Sequence, residues 1–157
     1  ETVVFGRIAG KTAADICKRS FKTSDLTEPE EIILPQIRSG DFSLQSLMEE
    51  LRLVMWEHAS ITRNEETLRC AKNELKRIVK QKDMARVENI RDILWFHQLE
   101  SMISEARILI EVSEKRKESR GAFFRTDYPE KNEKFRGNFF VKKNTSGDME
   151  CYFRIAE

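Results

Sequence analysis

The chain has 157 residues with 28 basic and 27 acidic side chains, a formal net charge of +1, so it lacks the basic excess of a nucleic-acid binder. Apolar residues make up 39% and charged residues 35%, a balance that suits one folded domain with solvated helix faces. Its apolar runs are a few residues long, far short of the roughly 20 needed to cross a bilayer, so no direct membrane insertion is expected.

The chain opens on Glu1-Thr-Val-Val-Phe5 without Met and with no secretory signal pattern, as a piece of a longer protein would. Residues 2–19 read as a first helix, with Val3, Val4, Ile8, Ala13, Ala14 and Ile16 alternating with Arg7, Lys11, Asp15 and Lys18. Gly6, Ala9, Gly10, Ala13 and Ala14 give it a smooth face. Each glycine costs an isolated helix about 1 kcal/mol relative to Ala, so such a helix makes sense when packed closely against something large. Residues 20–42, with Asp25, Pro29, Pro35 and Ser39-Gly40-Asp41, break every regular pattern and read as a connector. Ile32, Ile33, Leu34 and Ile37 are expected to tuck against a surface.

Ser43 is placed to cap a second helix, along which Leu44, Leu47, Met48, Leu51, Val54 and Met55 recur at three- and four-residue steps. It should fade around Glu57–Ser60. Asn64 caps a third helix, with Glu65 and Glu66 in its first turn, Leu68, Ala71, Leu75, Ile78 and Val79 on its buried face, and Lys76, Arg77, Lys80 and Lys82 toward its end. After a break at Gln81–Met84, residues 85–116 read as one helix of around 30 residues, roughly 45 Å long. Its apolar face is Val87, Ile90, Leu94, Ile103, Ala106 and Ile110, with Leu99 and Met102 beside it. Asn138–Lys143 and Glu150–Ile155, flanking Asn144-Thr-Ser-Gly-Asp148, read as a β-hairpin. The fold class is therefore mainly α: an antiparallel three-helix bundle with a small C-terminal β-hairpin, preceded by an isolated N-terminal helix.

No complete catalytic constellation emerges. Gly6-Arg-Ile-Ala-Gly10-Lys11-Thr12 has three residues between its glycines where a phosphate cradle needs four, and no buried strand precedes it. His58 and His97 have no nucleophile or carboxylate at a suggestive offset and read as capping or packing residues. Neighbouring carboxylates such as Glu49/Glu50 and Glu65/Glu66 splay apart on a helix. Cys17, Cys70 and Cys151 form no CxxC and lie beside no His, so metal-ligand spacing is absent and reduced thiols in a cytoplasmic protein are expected. Lys115, Arg116, Lys117, Arg120 and Arg125 interleave with Phe123, Phe124 and Tyr128, but Glu114, Glu118 and Asp127 dilute the cluster. It reads as ion pairs anchoring the segment to a neighbouring surface. Residues alone stop at a helical docking or interaction domain.

Residues 118–129, Glu-Ser-Arg-Gly-Ala-Phe-Phe-Arg-Thr-Asp-Tyr-Pro, resemble the E-S-R-G-x-H-x-R-x-D-x-P signature of the succinate dehydrogenase/fumarate reductase/L-aspartate oxidase flavoproteins. Met55-Trp-Glu-His-Ala-Ser-Ile-Thr-Arg-Asn64 resembles that family's M-W-x-x-x-G-I-x-R-N junction, and Glu1–Gly10 resembles the helix that closes its FAD-binding domain. Phe123 stands where many members carry His, and Ser60 where the junction usually has Gly.

The resemblance implies three parts: residues 1–19 as the last helix of a truncated FAD-binding domain, 20–42 as a connector, and 43–157 as the C-terminal bundle with its hairpin. It implies a parent enzyme with FAD as cofactor that passes a hydride between flavin and a C4 dicarboxylate. An L-aspartate oxidase, or a stand-alone helical interaction module, is the alternative. Its partners would be its own FAD-binding and capping domains and an iron–sulfur subunit, in the cytoplasm or peripheral at the membrane through such subunits. The residues that bind FAD and react would lie upstream of Glu1, so no catalytic, cofactor-binding or metal residue is assigned here, and the chain alone is expected to bind no FAD and turn over no substrate. Arg120 and Arg125 match the signature's arginines and are expected to serve domain docking.

Overall fold

Helix boundaries in this protein fall where a side chain can satisfy the first free amides of a helix. In a computed structural model, which describes residues 2–17, 36–145 and 148–155, the chain divides into two units, Glu1–Ile33 and Leu34–Glu157. The first contains helix α1, Thr2–Cys17. Taken by itself, this helix leaves Val4, Phe5, Ile8 and Ile16 exposed, and a methyl group added at Gly6 or Gly10 would meet nothing within 4 Å. Ile32, Ile33 and Leu34 lie outside the described residues, as does the tail of the first predicted helix beyond Cys17.

In the second unit, α2 runs Leu44–Ala59 behind Ser43, whose hydroxyl accepts from the Ser46 amide. A two-residue strand β1, Thr62–Arg63, leads into α3, Glu65–Asp83. Asn64 and Thr67 cap α3 reciprocally: Asn64 Oδ1 accepts from the Thr67 amide at 2.8 Å and Thr67 Oγ1 accepts from the Asn64 amide at 3.1 Å. The long helix α4 spans Ile90–Lys115, 26 residues. A two-residue strand β2, Phe124–Arg125, a 3-10 turn at Glu133–Phe135, and the hairpin strands β3, Gly137–Lys143, and β4, Met149–Ile155, complete the chain. The hairpin is antiparallel with Phe139 opposite Phe153 and Phe140 opposite Tyr152. An antiparallel three-helix bundle with a terminal hairpin is thus the architecture.

The core lies between α2, α3 and α4. Leu44, Leu47, Met48, Leu51 and Val54 from α2 meet Leu68, Ala71, Leu75 and Ile78 from α3 and Leu99, Ile103, Ala106 and Ile110 from α4. Within each helix these positions are three or four residues apart, one stripe of a helical surface. Met55 and Val79, expected in the core, are only partly buried and pack against it.

Three expectations fail here. Residues 85–89 are not helical, because Asn89 supplies a cap: its Oδ1 accepts from the Arg91 and Asp92 amides, and Asp92 Oδ2 returns to the Asn89 amide. The helix therefore starts at Ile90, and Ala85 and Val87 are instead buried by bridging to Phe42 and Arg38. Ile90 and Leu94, placed on the apolar face by their spacing, are 71% and 64% exposed. At about 100° per residue they sit roughly 180° and 140° around the axis from Leu99, so one helix cannot bury all three against the same neighbours. Ile37, expected to be tucked away, is exposed.

The segment before α2 is held where a side chain does not fit. Arg38 exchanges backbone hydrogen bonds with Val87 at 2.7 and 2.9 Å, Arg86 N donates to Phe42 O at 3.0 Å, and the Arg38 side chain donates to Ala85 O and Lys82 O. Between them Gly40 passes so close to the 84–86 backbone that a Cβ would lie 2.4 Å from Met84 O and 2.7 Å from Arg86 N. Gly40→Ala is expected to destabilise the chain by about 1–3 kcal/mol through overpacking, read as a lower urea midpoint. A midpoint unchanged within error would show that this pairing does not form in solution.

Candidate functional site

The segment following α4 carries the buried charges of the fold and joins it together. Glu118 is fully buried at 0% exposure. Its carboxylate accepts from Arg116 Nη1, from Arg120 Nε and Nη2 at 3.1–3.2 Å, and from the Asn132 amide at 3.0 Å. Burial alone pushes this carboxyl up, but the bonds from Arg120, the Asn132 amide and Arg116 outweigh it and hold the group below the usual range. Gly121, at φ +61°, lets the chain turn back at once, so that Arg120 and Phe123 exchange backbone bonds at 2.8 and 3.1 Å. Ser119 Oγ closes the loop, accepting from the Arg125 amide at 2.8 Å and donating to Tyr128 O at 2.9 Å.

Arg125 is the second centre. Only 2% exposed, it grips both oxygens of Asp127 at 2.7 and 2.6 Å and donates to Ser113 O on α4 at 2.5 Å. The same Asp127 accepts from the Glu65 amide at 2.9 Å, placing a carboxylate at the N-terminus of α3. The Arg125 bond, assisted by that amide, outweighs burial and lowers the Asp127 pKa. Strand β2 pairs in parallel with β1, Thr62 opposite Phe124 and Arg63 opposite Arg125. The Arg63 guanidinium lies 4.8 Å over the Phe123 ring. The stretches Met55–Asn64 and Glu118–Pro129, distant in sequence, are thereby stitched into one structure.

Other singled-out residues are dispersed. Gly6–Thr12 lies within α1, where its amides belong to a helix rather than an anion-binding loop. His97 Nδ1 is 3.3 Å from Glu100, and its buried Nε2 has no partner. His58 is in the last turn of α2. Glu50 pairs with Arg77, while Glu65 and Glu66 occupy the first turn of α3. Cys70 and Cys151 are free thiols, the latter raised in pKa mainly by burial; the Cys17 side chain lies outside the described residues. Among the described residues no group of three or more His, Cys, Asp or Glu could hold a metal ion, and no helix is long and apolar enough to cross a membrane.

The arginines need a correction. Arg125 is spent on Asp127 and Ser113 inside its own bundle, so it is not available to dock a neighbouring domain. The ion pairs of residues 116–127 anchor the segment to the adjacent helices and hairpin of this unit. Arg116 also donates to Phe135 O and Gly137 O, at 3.0 and 2.9 Å, and covers the Phe139 ring at 5.0 Å. A Glu flanked by Arg at −2 and +2 was the available signal for a buried carboxylate. Which of the two arginines would turn inward was not visible.

Comparison with known proteins gives this arrangement a context. Residues 48–153 match the model of the family described as "Fumarate reductase flavoprotein C-term". An uncharacterised FAD-dependent oxidoreductase of Methanocaldococcus jannaschii is 39% identical over 145 residues, covering 90% of this chain and 27% of that protein. A succinate dehydrogenase flavoprotein subunit of Rickettsia bellii is 32% identical over 146 residues, covering 85% of this chain and 24% of the subunit. The chain thus spans about a quarter of the length of these curated relatives. Its fold resembles part of E. coli quinol fumarate reductase, with a TM-score of 0.68 at 20% identity, covering 74% of this chain and 21% of that one.

The buried carboxylate makes two measurable demands. Glu118→Gln leaves Arg116 facing a neutral amide and is expected to cost about 3–5 kcal/mol in urea unfolding. Because the folded pKa values of Glu118 and Asp127 are depressed, their contribution is complete above the ordinary carboxylate pKa of about 4 and is lost as pH falls through the depressed values. The fall in stability from pH 5 to pH 2 should be shallower in Glu118→Gln than in the wild type. Parallel curves would show that Glu118 is not the group titrating.

Proposed function

Because this chain belongs to the fumarate reductase flavoprotein C-terminal family, we propose that it braces the flavin-carrying part of an FAD-dependent oxidoreductase of the succinate dehydrogenase/fumarate reductase kind. The observation that carries this reading is the clamp between Glu118–Pro129 and Met55–Asn64. It ties α2, α3, α4 and the hairpin into one module.

Three parts divide the work in this proposal. Residues 1–19 form the last helix of the FAD-binding domain, 20–42 cross between domains, and 43–157 form the bracing bundle. Support for the first part comes from the open space around Gly6 and Gly10 and the exposure of Val4, Phe5, Ile8 and Ile16. Glycines cost helix stability, and a smooth face regains it only where another surface comes close. The bundle's own residues do not fit FAD: the described residues include no strand, glycine-rich turn and helix in succession that could cradle a dinucleotide. The cofactor would be bound by the FAD-binding and capping domains of the whole protein.

The whole protein would act on a C4 dicarboxylate such as succinate or fumarate. An iron–sulfur subunit would be its electron partner, and any attachment to a membrane would be peripheral, through partner subunits.

The test uses the whole protein. Purified with its cofactor, it is expected to show a flavin band near ~450 nm and to oxidise succinate in preference to L-aspartate. A preference for L-aspartate would replace the substrate but keep the family, and a colourless, inactive whole protein would overturn the reading. Gly10→Leu should lower flavin retention in the whole protein without lowering the melting temperature of the 157-residue chain, since a Cβ there meets nothing within 4 Å and Leu favours a helix over Gly.

A further inference from the structure

A cleft of about 420 Å³ opens on the bundle between the C-terminal half of α4 and the segment that follows it. Its two sides differ in chemistry. Leu109 and Val112 give it an apolar wall, and Arg63, Arg116 and Arg120 face it beside the Phe123 ring. None of these residues is needed there as an acid or base by the bracing role, and the cleft is not accounted for by it.

Charge does not balance around this space. Arg116 and Arg120 share one carboxylate, Glu118, and among the described residues the only further anion near Arg120 is Glu133, 3.7 Å away and 73% exposed, a contact that solvent weakens. Among the described residues no carboxylate pairs with Arg63. Its Nε donates to Ala59 O at 3.0 Å and its face covers Phe123 at 4.8 Å, leaving the terminal nitrogens without an acceptor among the described residues. Burial, together with the like charge of Arg125, lowers its pKa. A part-buried guanidinium held rigidly on an aromatic ring, with its fork free, is arranged for a planar anion.

The size and lining of the cleft add a second condition. A bare oxyanion would fill a small part of it and leave the leucine and valine wall wet. We propose that this cleft binds a small organic carboxylate, its carboxylate held bidentate by Arg63 and its apolar body lying against Leu109 and Val112. This inference stands apart from the bracing role and would survive its failure.

Benzoate serves as the probe, added to the 157-residue chain at constant ionic strength and followed by the Arg63 Nε–H resonance and the melting temperature. Inorganic phosphate, which has the charge without the body, and benzyl alcohol, which has the body without the charge, are the comparisons. The expected result is saturable binding of benzoate with Kd on the order of millimolar, and binding at least about tenfold weaker for either comparison, as loss of one half of a charged, desolvated contact implies. Arg63 variants lack that resonance and are followed by melting temperature alone: Arg63→Gln should lose the benzoate-induced rise with its circular dichroism unchanged, while Arg69→Gln, exposed on α3, should retain it. Should Arg63→Gln fail to fold, Arg63→Lys, which keeps the charge without the fork, should bind benzoate more weakly than the wild type. No saturable response in the wild type, equal binding by phosphate, or undiminished binding in a folded Arg63 variant would each overturn the proposal.

Discussion

A carboxylate withdrawn from water costs several kcal/mol unless charged donors replace its hydration, and Glu118, with no exposed surface, is the carboxylate around which this molecule is arranged. Its oxygens are met by Arg116 at the end of α4, by Arg120 two residues on, and by the Asn132 amide. Each partner carries a second obligation. Arg116 holds the carbonyls of Phe135 and Gly137, where the hairpin begins. There Phe135, Phe139 and Phe153 pack with ring centroids 4.9–6.2 Å apart. The place of the hairpin against α4 thus follows from the need to neutralise one buried charge.

The Arg125–Asp127 pair does for the other end of the segment what Glu118 does for its start. Arg125 reaches α4 through Ser113, and Asp127 reaches α3 through the Glu65 amide, so one bidentate pair connects the ends of two helices. The surface pairs are of another kind. Lys72–Glu114, Arg77–Glu50 and Lys142–Glu150 are solvent-exposed to between 31% and 58%, and such pairs contribute about 0–1 kcal/mol each. Bundle stability therefore rests on the apolar stripes of α2, α3 and α4 and on the two buried centres.

Much of the bundle was legible because its signals are local. Apolar residues at three- and four-residue steps mark α2 and α3, Ser43 and Asn64 announce their starts, and aromatic alternation around Asn144–Asp148 marks the hairpin. The start of α4 was legible too, in Asn89 followed three residues later by Asp92, but a continuous apolar count from Val87 overrode it. Two motif-bearing stretches stood out by resemblance, yet their contact did not. Thr62–Arg63 and Phe124–Arg125 are short strands separated by about sixty residues, and two residues carry no periodicity.

Sequence by itself determined what depends on neighbours along the chain: the helices, their caps, the hairpin, the near balance of charge and the family motifs. Only the tertiary structure decided which charged groups leave water. Arg120 and Arg125 belong to the same signature and have the same chemistry, but one lies a third exposed against Glu118 while the other is buried between α3 and α4. That choice depends on which partners converge at each position: Ser113 O and the Glu65 amide are brought to the Arg125–Asp127 pair by the packing of helices, a relation in space that no local pattern encodes.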